Sequence, residues 1–199
     1  SLHIFSGSDL VANGAGFYNL YDDANQLFDE TTNYDYLGQS IQGGDLDGDG
    51  DDDLLIASPG NDTEANGGGC LSIINGSNDL LTDSGYAWEI DEFDFYFDYD
   101  NASICSETDN ARLGWNSGSV LGDFNGDGAT DLAIAGPAAN LVFVFFDAVS
   151  LMGQPHVAED DADVIITGTE GLFGYGLTAG DFNGDGVDAV SYTHLRAHE

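Results

Sequence analysis

An all-β fold assembled from repeated four-stranded antiparallel sheets is what this sequence predicts, and three observations carry that expectation. An Asp- and Gly-rich nonapeptide is written three times. It reads Asp45-Leu46-Asp47-Gly48-Asp49-Gly50-Asp51-Asp52-Asp53, then Asp123-Phe124-Asn125-Gly126-Asp127-Gly128-Ala129-Thr130-Asp131, then Asp181-Phe182-Asn183-Gly184-Asp185-Gly186-Val187-Asp188-Ala189. Short apolar segments recur around it with a period of about 70 residues. Gly, Asn, Asp and Pro separate these segments, and almost no stretch has helical spacing. About four strands per period is the signature of a β-propeller with one sheet per blade. Two full units and two partial ones cannot close a ring, which needs about four blades, so an incomplete ring is expected. Its end sheets would be unpaired and prone to associate.

Each segment has its own reason. Residues 1–30 read as the end of a preceding blade, because Leu2-His3-Ile4-Phe5-Ser6-Gly7 resembles Leu71-Ser72-Ile73-Ile74-Asn75-Gly76 and Leu141-Val142-Phe143-Val144-Phe145-Phe146. His3 falls on this strand as a packing or edge residue. Residues 31–80 form the first full unit. Leu37-Gly38 precedes the loop, Leu54-Leu55-Ile56-Ala57 follows it as a buried strand, and Ser58-Pro59 ends that strand because Pro lacks an N–H. Residues 81–150 repeat the order with Leu113-Gly114, the second loop, Leu132-Ala133-Ile134-Ala135 and Gly136-Pro137. This unit carries extra length between Trp88 and Arg112. There Phe93-Asp94-Phe95-Tyr96-Phe97-Asp98-Tyr99-Asp100 alternates aromatics with acids, as a half-buried strand or hairpin would. Residues 151–188 begin a further unit, with Val164-Ile165-Ile166-Thr167-Gly168, Phe173-Gly174 and the third loop, and His156 after Pro155 is placed in a loop. Residues 189–199 break the pattern. Ala189 stands where the ninth Asp is expected, the following strand and its Gly-Pro stop are replaced, and His194, Arg196 and His198 crowd together in a tail that reads as non-native.

The loops have the chemistry of a hard-cation site. Calcium takes six to eight oxygens at about 2.3–2.6 Å. Side chains at positions 1, 3 and 5 converge if the backbone turns sharply, and Gly at positions 4 and 6 permits the turn. Position 7 offers a carbonyl and position 9 a further carboxylate. An EF-hand would need Glu at position 12, where this chain has Ile56, Ile134 and Tyr192. The loop therefore joins strand to strand. At this composition roughly 0.1 chance matches to the six-residue opening are expected, too few to account for three in one context.

The order Phe/Leu-Gly, then Asp-x-Asn/Asp-x-Asp-Gly-x-x-Asp, then Gly/Ser-Pro resembles the FG-GAP repeat over about residues 1–188. That family includes the seven-bladed propeller at the head of integrin α subunits and many bacterial surface proteins. The resemblance implies a calcium ion between two strands of each blade, with ligand recognition by other loops. It carries Asp45, Asp47, Asp49, Asp51 and Asp53 as a first site. It carries Asp123, Asn125, Asp127, Ala129 through its carbonyl, and Asp131 as a second. Asp181, Asn183, Asp185 and the Val187 carbonyl form part of a third.

Charge bounds the partners. There are 37 acidic residues against two basic ones, a net charge of −35. This disfavours nucleic acid and anionic membranes. A few divalent ions cannot neutralise it, so most of the acid faces water, and salt-rich surroundings would screen it. No run of 18 apolar residues exists, so no membrane insertion is expected. Cys70 and Cys105 suit an extracellular disulfide or two buried thiols equally. No nucleophile–base motif or phosphate-cradling loop is present, which argues against an enzyme. The expectation is a calcium-binding propeller segment of a secreted or cell-surface protein, used in adhesion or recognition of an extracellular protein or glycan. The alternative is the accessory propeller of a secreted enzyme such as a polysaccharide lyase or lipase.

Overall fold

The structure is a computed structural model and describes residues 2–4, 26–30, 35–76, 87–90, 102–116, 118–169 and 171–193. In chain order the strands are β1 (Leu2–Ile4), β2 (Gln26–Glu30), β3 (Ser40–Gly44), β4 (Asp53–Ser58), β5 (Cys70–Ile74), β6 (Ala87–Ile90) and β7 (Ala102–Cys105). They continue with β8 (Ser119–Gly122), β9 (Asp131–Gly136), β10 (Leu141–Phe145), β11 (Pro155–Val157), β12 (Val164–Thr167), β13 (Gly176–Gly180) and β14 (Ala189–Thr193). One helical turn, α1 (Ala158–Asp161), follows β11. The fold is all-β with several sheets, and the described residues form no closed ring.

The predicted four-stranded meander is seen in the sheet β12-β10-β9-β8, antiparallel throughout. The sheet containing the first loop has the same meander, β3-β4-β5-β7, and a fifth strand added in parallel: β11 lies beside β7, pairing His156 with Ile104. His156 is thus on a strand, where the sequence suggested a loop. Its ring nitrogens lie 3.1 Å from Asp161 Oδ2 and 3.0 Å from the Leu151 carbonyl oxygen. Next to it on α1, Glu159 accepts hydrogen bonds from Ser106 Oγ at 2.5 Å, Thr108 Oγ1 at 2.8 Å and the Glu107 N–H at 3.0 Å. Burial pushes the Glu159 carboxyl upward, but these three donors together with its own N–H outweigh it and hold it below its ordinary range. A segment between β10 and β12 therefore reaches back and clasps the preceding sheet.

Two further differences concern pairing. Ala87–Ile90 lies in the second period by sequence, yet it pairs with Gln26–Glu30 and joins β1 in a separate three-stranded sheet. Ala189–Thr193 forms a strand in full register with Gly176–Gly180, although a strand was expected to be lost there. Sheet pairing depends on main-chain groups and tolerates the polar sequence Ser191-Tyr192-Thr193 at an edge. The alternating stretch 93–100 and the cluster His194, Arg196 and His198 lie outside the described residues.

The buried strands explain the continuous apolar runs. On β9, Leu132 and Ile134 face the five-stranded sheet, in one core with Leu55, Leu71, Ile73, Ile104, Phe143 and Phe145. Ala135 and Val142 face the other way, against Phe173 and Leu177. Both faces of the sheet are covered, so alternation disappears from its central strands. Loop position 2 shows what a covering sheet does: Leu46 is 2 % exposed and Phe182, with no described neighbour beyond it, is 67 % exposed.

The Gly of each Leu/Phe-Gly pair serves the backbone turn, and two of the three also serve a close approach between sheets. Gly38, Gly114 and Gly174 have φ of 79°, 77° and 83°, in the left-handed region. A Cβ on Gly114 would lie 2.6 Å from the Ala57 side chain, and one on Gly174 would lie 2.9 Å from that of Ala135. Ala57 and Ala135 are the residues just before the Ser/Gly-Pro stop of the preceding sheet. The two halves of the sequence repeat thus meet between neighbouring sheets.

Cys70 and Cys105 face each other in the β5–β7 ladder and form a disulfide. This selects one of the two possibilities that composition leaves open. Replacing both by Ser is expected to lower stability by roughly 2–3 kcal/mol. Urea unfolding checks it, and an unchanged midpoint would show that the β-ladder alone holds these strands.

Candidate metal centre

Each Asp loop leaves one strand, turns and enters the next: β3 to β4, β8 to β9 and β13 to β14, of which β4 and β9 are buried central strands and β14 is exposed. The three copies have nearly the same backbone. Gly48, Gly126 and Gly184 each have φ of 78°, and Gly50, Gly128 and Gly186 have φ of 100°, 88° and 88°. The first Asp organises the turn. One Asp45 oxygen accepts the Gly48 N–H at 2.7 Å and the other the Gly50 N–H at 3.2 Å. Asp123 receives Gly126 and Gly128 at 2.7 and 3.0 Å, and Asp181 receives Gly184 and Gly186 at 2.7 and 2.9 Å. Donation by Gly186 and its neighbours holds the Asp181 carboxyl below its ordinary range, and the Ala129 N–H does the same for Asp127.

Position 5 is held by the peptide of position 7. The N–H groups of Asp51, Ala129 and Val187 donate to Asp49, Asp127 and Asp185 at 2.8, 2.8 and 2.9 Å. Those peptide units therefore lie against the acidic group. Position 3 differs between loops. Asn125 and Asn183 donate their amide N–H to Asp127 and Asp185 at 2.8 and 2.9 Å. In the first loop position 3 is itself a carboxylate, Asp47, which accepts from Asn75 Nδ2 at 2.9 Å. Asp45, Asp47 and Asp49 bring three carboxylate oxygens within 4.8 Å of one another. Such convergence is repulsive without a cation and suits a hard ion, since every donor is oxygen.

Position 9 was expected to add a carboxylate ligand. Asp53 and Asp131 are indeed carboxylates beside the loop, but they are 1 % and 0 % exposed, and both oxygens of each take backbone N–H groups. Asp53 accepts from Leu46 at 2.7 Å and Gly76 at 2.8 Å. Asp131 accepts from Phe124 at 2.7 Å and Asp147 at 2.9 Å. Each ties its loop to the turn that follows the next strand. Burial raises the Asp53 carboxyl above its ordinary value, the two N–H groups oppose this, and the charges of Asp47 and Asp49 add to it. Sequence reasoning missed this clamp. The pointer available was that position 9 is the first residue of an apolar buried run.

Adjacent loops also touch. Thr130 Oγ1 donates to the Asp45 carbonyl at 3.1 Å. The Asp188 N–H donates to the Asp123 carbonyl at 2.8 Å, while Asp188 Oδ2 accepts the Asp123 N–H at 3.0 Å.

Residues 37–69 match the FG-GAP repeat, so the repeat suggested by the Leu-Gly pair, the Asp loop and the Ser-Pro stop is present in this chain. The chain is also similar to a phosphatidylinositol-glycan-specific phospholipase D of Dictyostelium discoideum, 36% identical over 108 residues. That match takes in 54% of this chain and 11% of the relative's length. Among the described residues no helix is long and apolar enough to cross a membrane.

Proposed function

We propose that this chain, which carries an FG-GAP repeat, is a calcium-stabilised segment of a β-propeller in a secreted or cell-surface protein, where it serves adhesion or extracellular recognition. The observation that supports this best is the convergence of Asp45, Asp47 and Asp49 in a loop whose backbone recurs twice more. The donor set fits calcium. Positions 1, 3 and 5 would supply side-chain oxygens, and Asp51, Ala129 and Val187 would supply carbonyls. Asp53 and Asp131 retain a further lone pair on each oxygen, so clamp and ligand are compatible roles. An ion closed in by protein ligands is structural: it relieves carboxylate repulsion and fixes the strand-to-strand turn. Recognition then falls to other loops, toward a protein or glycan. The strong negative charge disfavours nucleic acid.

Calorimetric counting of bound calcium tests the assignment. Asp49→Ala removes a central ligand and is expected to lower the stoichiometry by one ion. An unchanged count would contradict the first site.

A second reading is favoured by the phospholipase D relative. In it the chain is the accessory propeller of a secreted enzyme, and the catalytic residues belong to another part of that protein. Sequencing the coding region on both sides of these residues separates the two: an adjoining catalytic domain would favour the second reading, and propeller units without one the first.

A further inference from the structure

The eighth residue of each loop was left without a task by the metal chemistry, yet in two loops it reaches the first residue of the preceding loop. Thr130 bonds to Asp45, far away in sequence, and Asp188 makes two hydrogen bonds to Asp123. The chemistry differs, a hydroxyl in one case and a carboxylate with its N–H in the other. The recipient is the same: the main chain of position 1. Val187 reinforces the second junction. A Cβ on Gly126 would lie 2.9 Å from Val187 Cγ2, so the third loop rests on the glycine turn of the second.

We propose that Thr130 and Asp188 are positioning residues that couple neighbouring metal loops, so that filling one loop favours filling the next. This rests on the reading of the loops as calcium sites. The path is short. Position 1 supplies a ligand carboxylate and gathers the N–H groups of positions 4 and 6. An ion on that carboxylate fixes the position 1 peptide. This peptide holds position 8 of the following loop. Position 8 lies between the carbonyl of position 7 and the buried clamp of position 9, or Ala189 in the third loop. Ordering one loop thus supplies in advance part of the ordering its neighbour needs, which is positive coupling between sites.

The experiment is a calcium titration of the whole chain by calorimetry, with Thr130→Val, Asp188→Ala and Asp188→Asn. Amide exchange at Asp123 is measured in chelator alongside it. Wild type is expected to bind with positive cooperativity. Thr130→Val and Asp188→Ala are expected to bind the same number of ions without cooperativity at their own junction, at roughly five- to tenfold weaker affinity. Asp188→Asn keeps an acceptor for the Asp123 N–H and is expected to retain the wild-type isotherm. In chelator, Asp188→Ala is expected to speed exchange at Asp123, and Asp188→Asn is not. A merely structural contact would change stability and leave the shape of the isotherm untouched. Independent sites in wild type, or cooperativity that survives both disruptive variants, would overturn the coupling while leaving calcium binding intact. Unchanged Asp123 exchange in Asp188→Ala would overturn the latch without reference to any metal. Absence of calcium uptake would defeat the site reading and the coupling with it.

Discussion

Calcium is expected to raise the melting temperature of this chain by roughly 5–10 °C for each loop it fills, and chelator to reverse the rise. The chain carries a net charge of −35, and its loops concentrate that charge where strands must turn. Asp45, Asp47 and Asp49 hold three carboxylate oxygens within 4.8 Å, a geometry that repels itself without a cation. An ion that binds only the folded form adds about 2.7 kcal/mol at a hundredfold excess over its Kd. For a chain of this size each kcal/mol moves the melting temperature by roughly 2–4 °C. The melt is run at high, constant ionic strength, so that general screening of surface charge is already saturated. Magnesium serves as the control. It demands near-octahedral geometry with shorter bonds and sheds water reluctantly, so it is expected to stabilise much less. A cooperative melt indifferent to calcium would leave the sheets standing and reduce the Asp loops to solvated turns.

Asp131→Ala is expected to destabilise the chain by roughly 3–5 kcal/mol in urea unfolding, with chelator present as well as with calcium. The side chain is 0 % exposed, and its oxygens accept the N–H groups of Phe124 and Asp147. Removing it breaks two part-buried hydrogen bonds to a charged acceptor, each worth about 1.5–3 kcal/mol. The loop also loses its tether to the turn after β10. Asp131→Asn keeps one acceptor and is expected to lose about half as much. The two conditions separate two roles. A residue that acts only as a ligand would lose its effect in chelator, since the metal is gone from both proteins. A clamp keeps its effect. Equal stability of wild type and Asp131→Ala in chelator would therefore sink the clamp.

The clamp also shows where sequence stops being informative. In a nonapeptide that ends in Asp, a ninth carboxylate turned toward an ion and one turned toward backbone N–H groups are spelled the same way. The choice depends on whether Gly76 or Asp147, from a turn beyond the next strand, arrives beside it. The same holds for Thr130 and Asp188, whose partners lie one sheet away. It holds for the fifth strand too: Pro155–Val157 has no strong strand pattern and pairs because α1 and Glu159 bring it against β7. Ala87–Ile90 sits in one period and pairs with a strand of another.

Local physics made the rest legible. Paired Gly at positions 4 and 6 allows a left-handed turn, and the structure shows the same φ signature in all three loops. Continuous apolar runs that end in Ser/Gly-Pro can only be buried central strands, and β4 and β9 are buried along nearly their whole length. The Leu/Phe-Gly pairs marked the turn before the strand that leads into each Asp loop. These features are written in neighbouring residues, so composition, spacing and backbone sterics suffice to find them. The disulfide, the position 9 clamp and the pairing of distant strands arise from residues that meet only when the strands of a sheet align, and the loop-to-loop contacts from residues that meet only when neighbouring sheets stack. Their partners are chosen by strand register and by packing between sheets, and no local pattern records that choice.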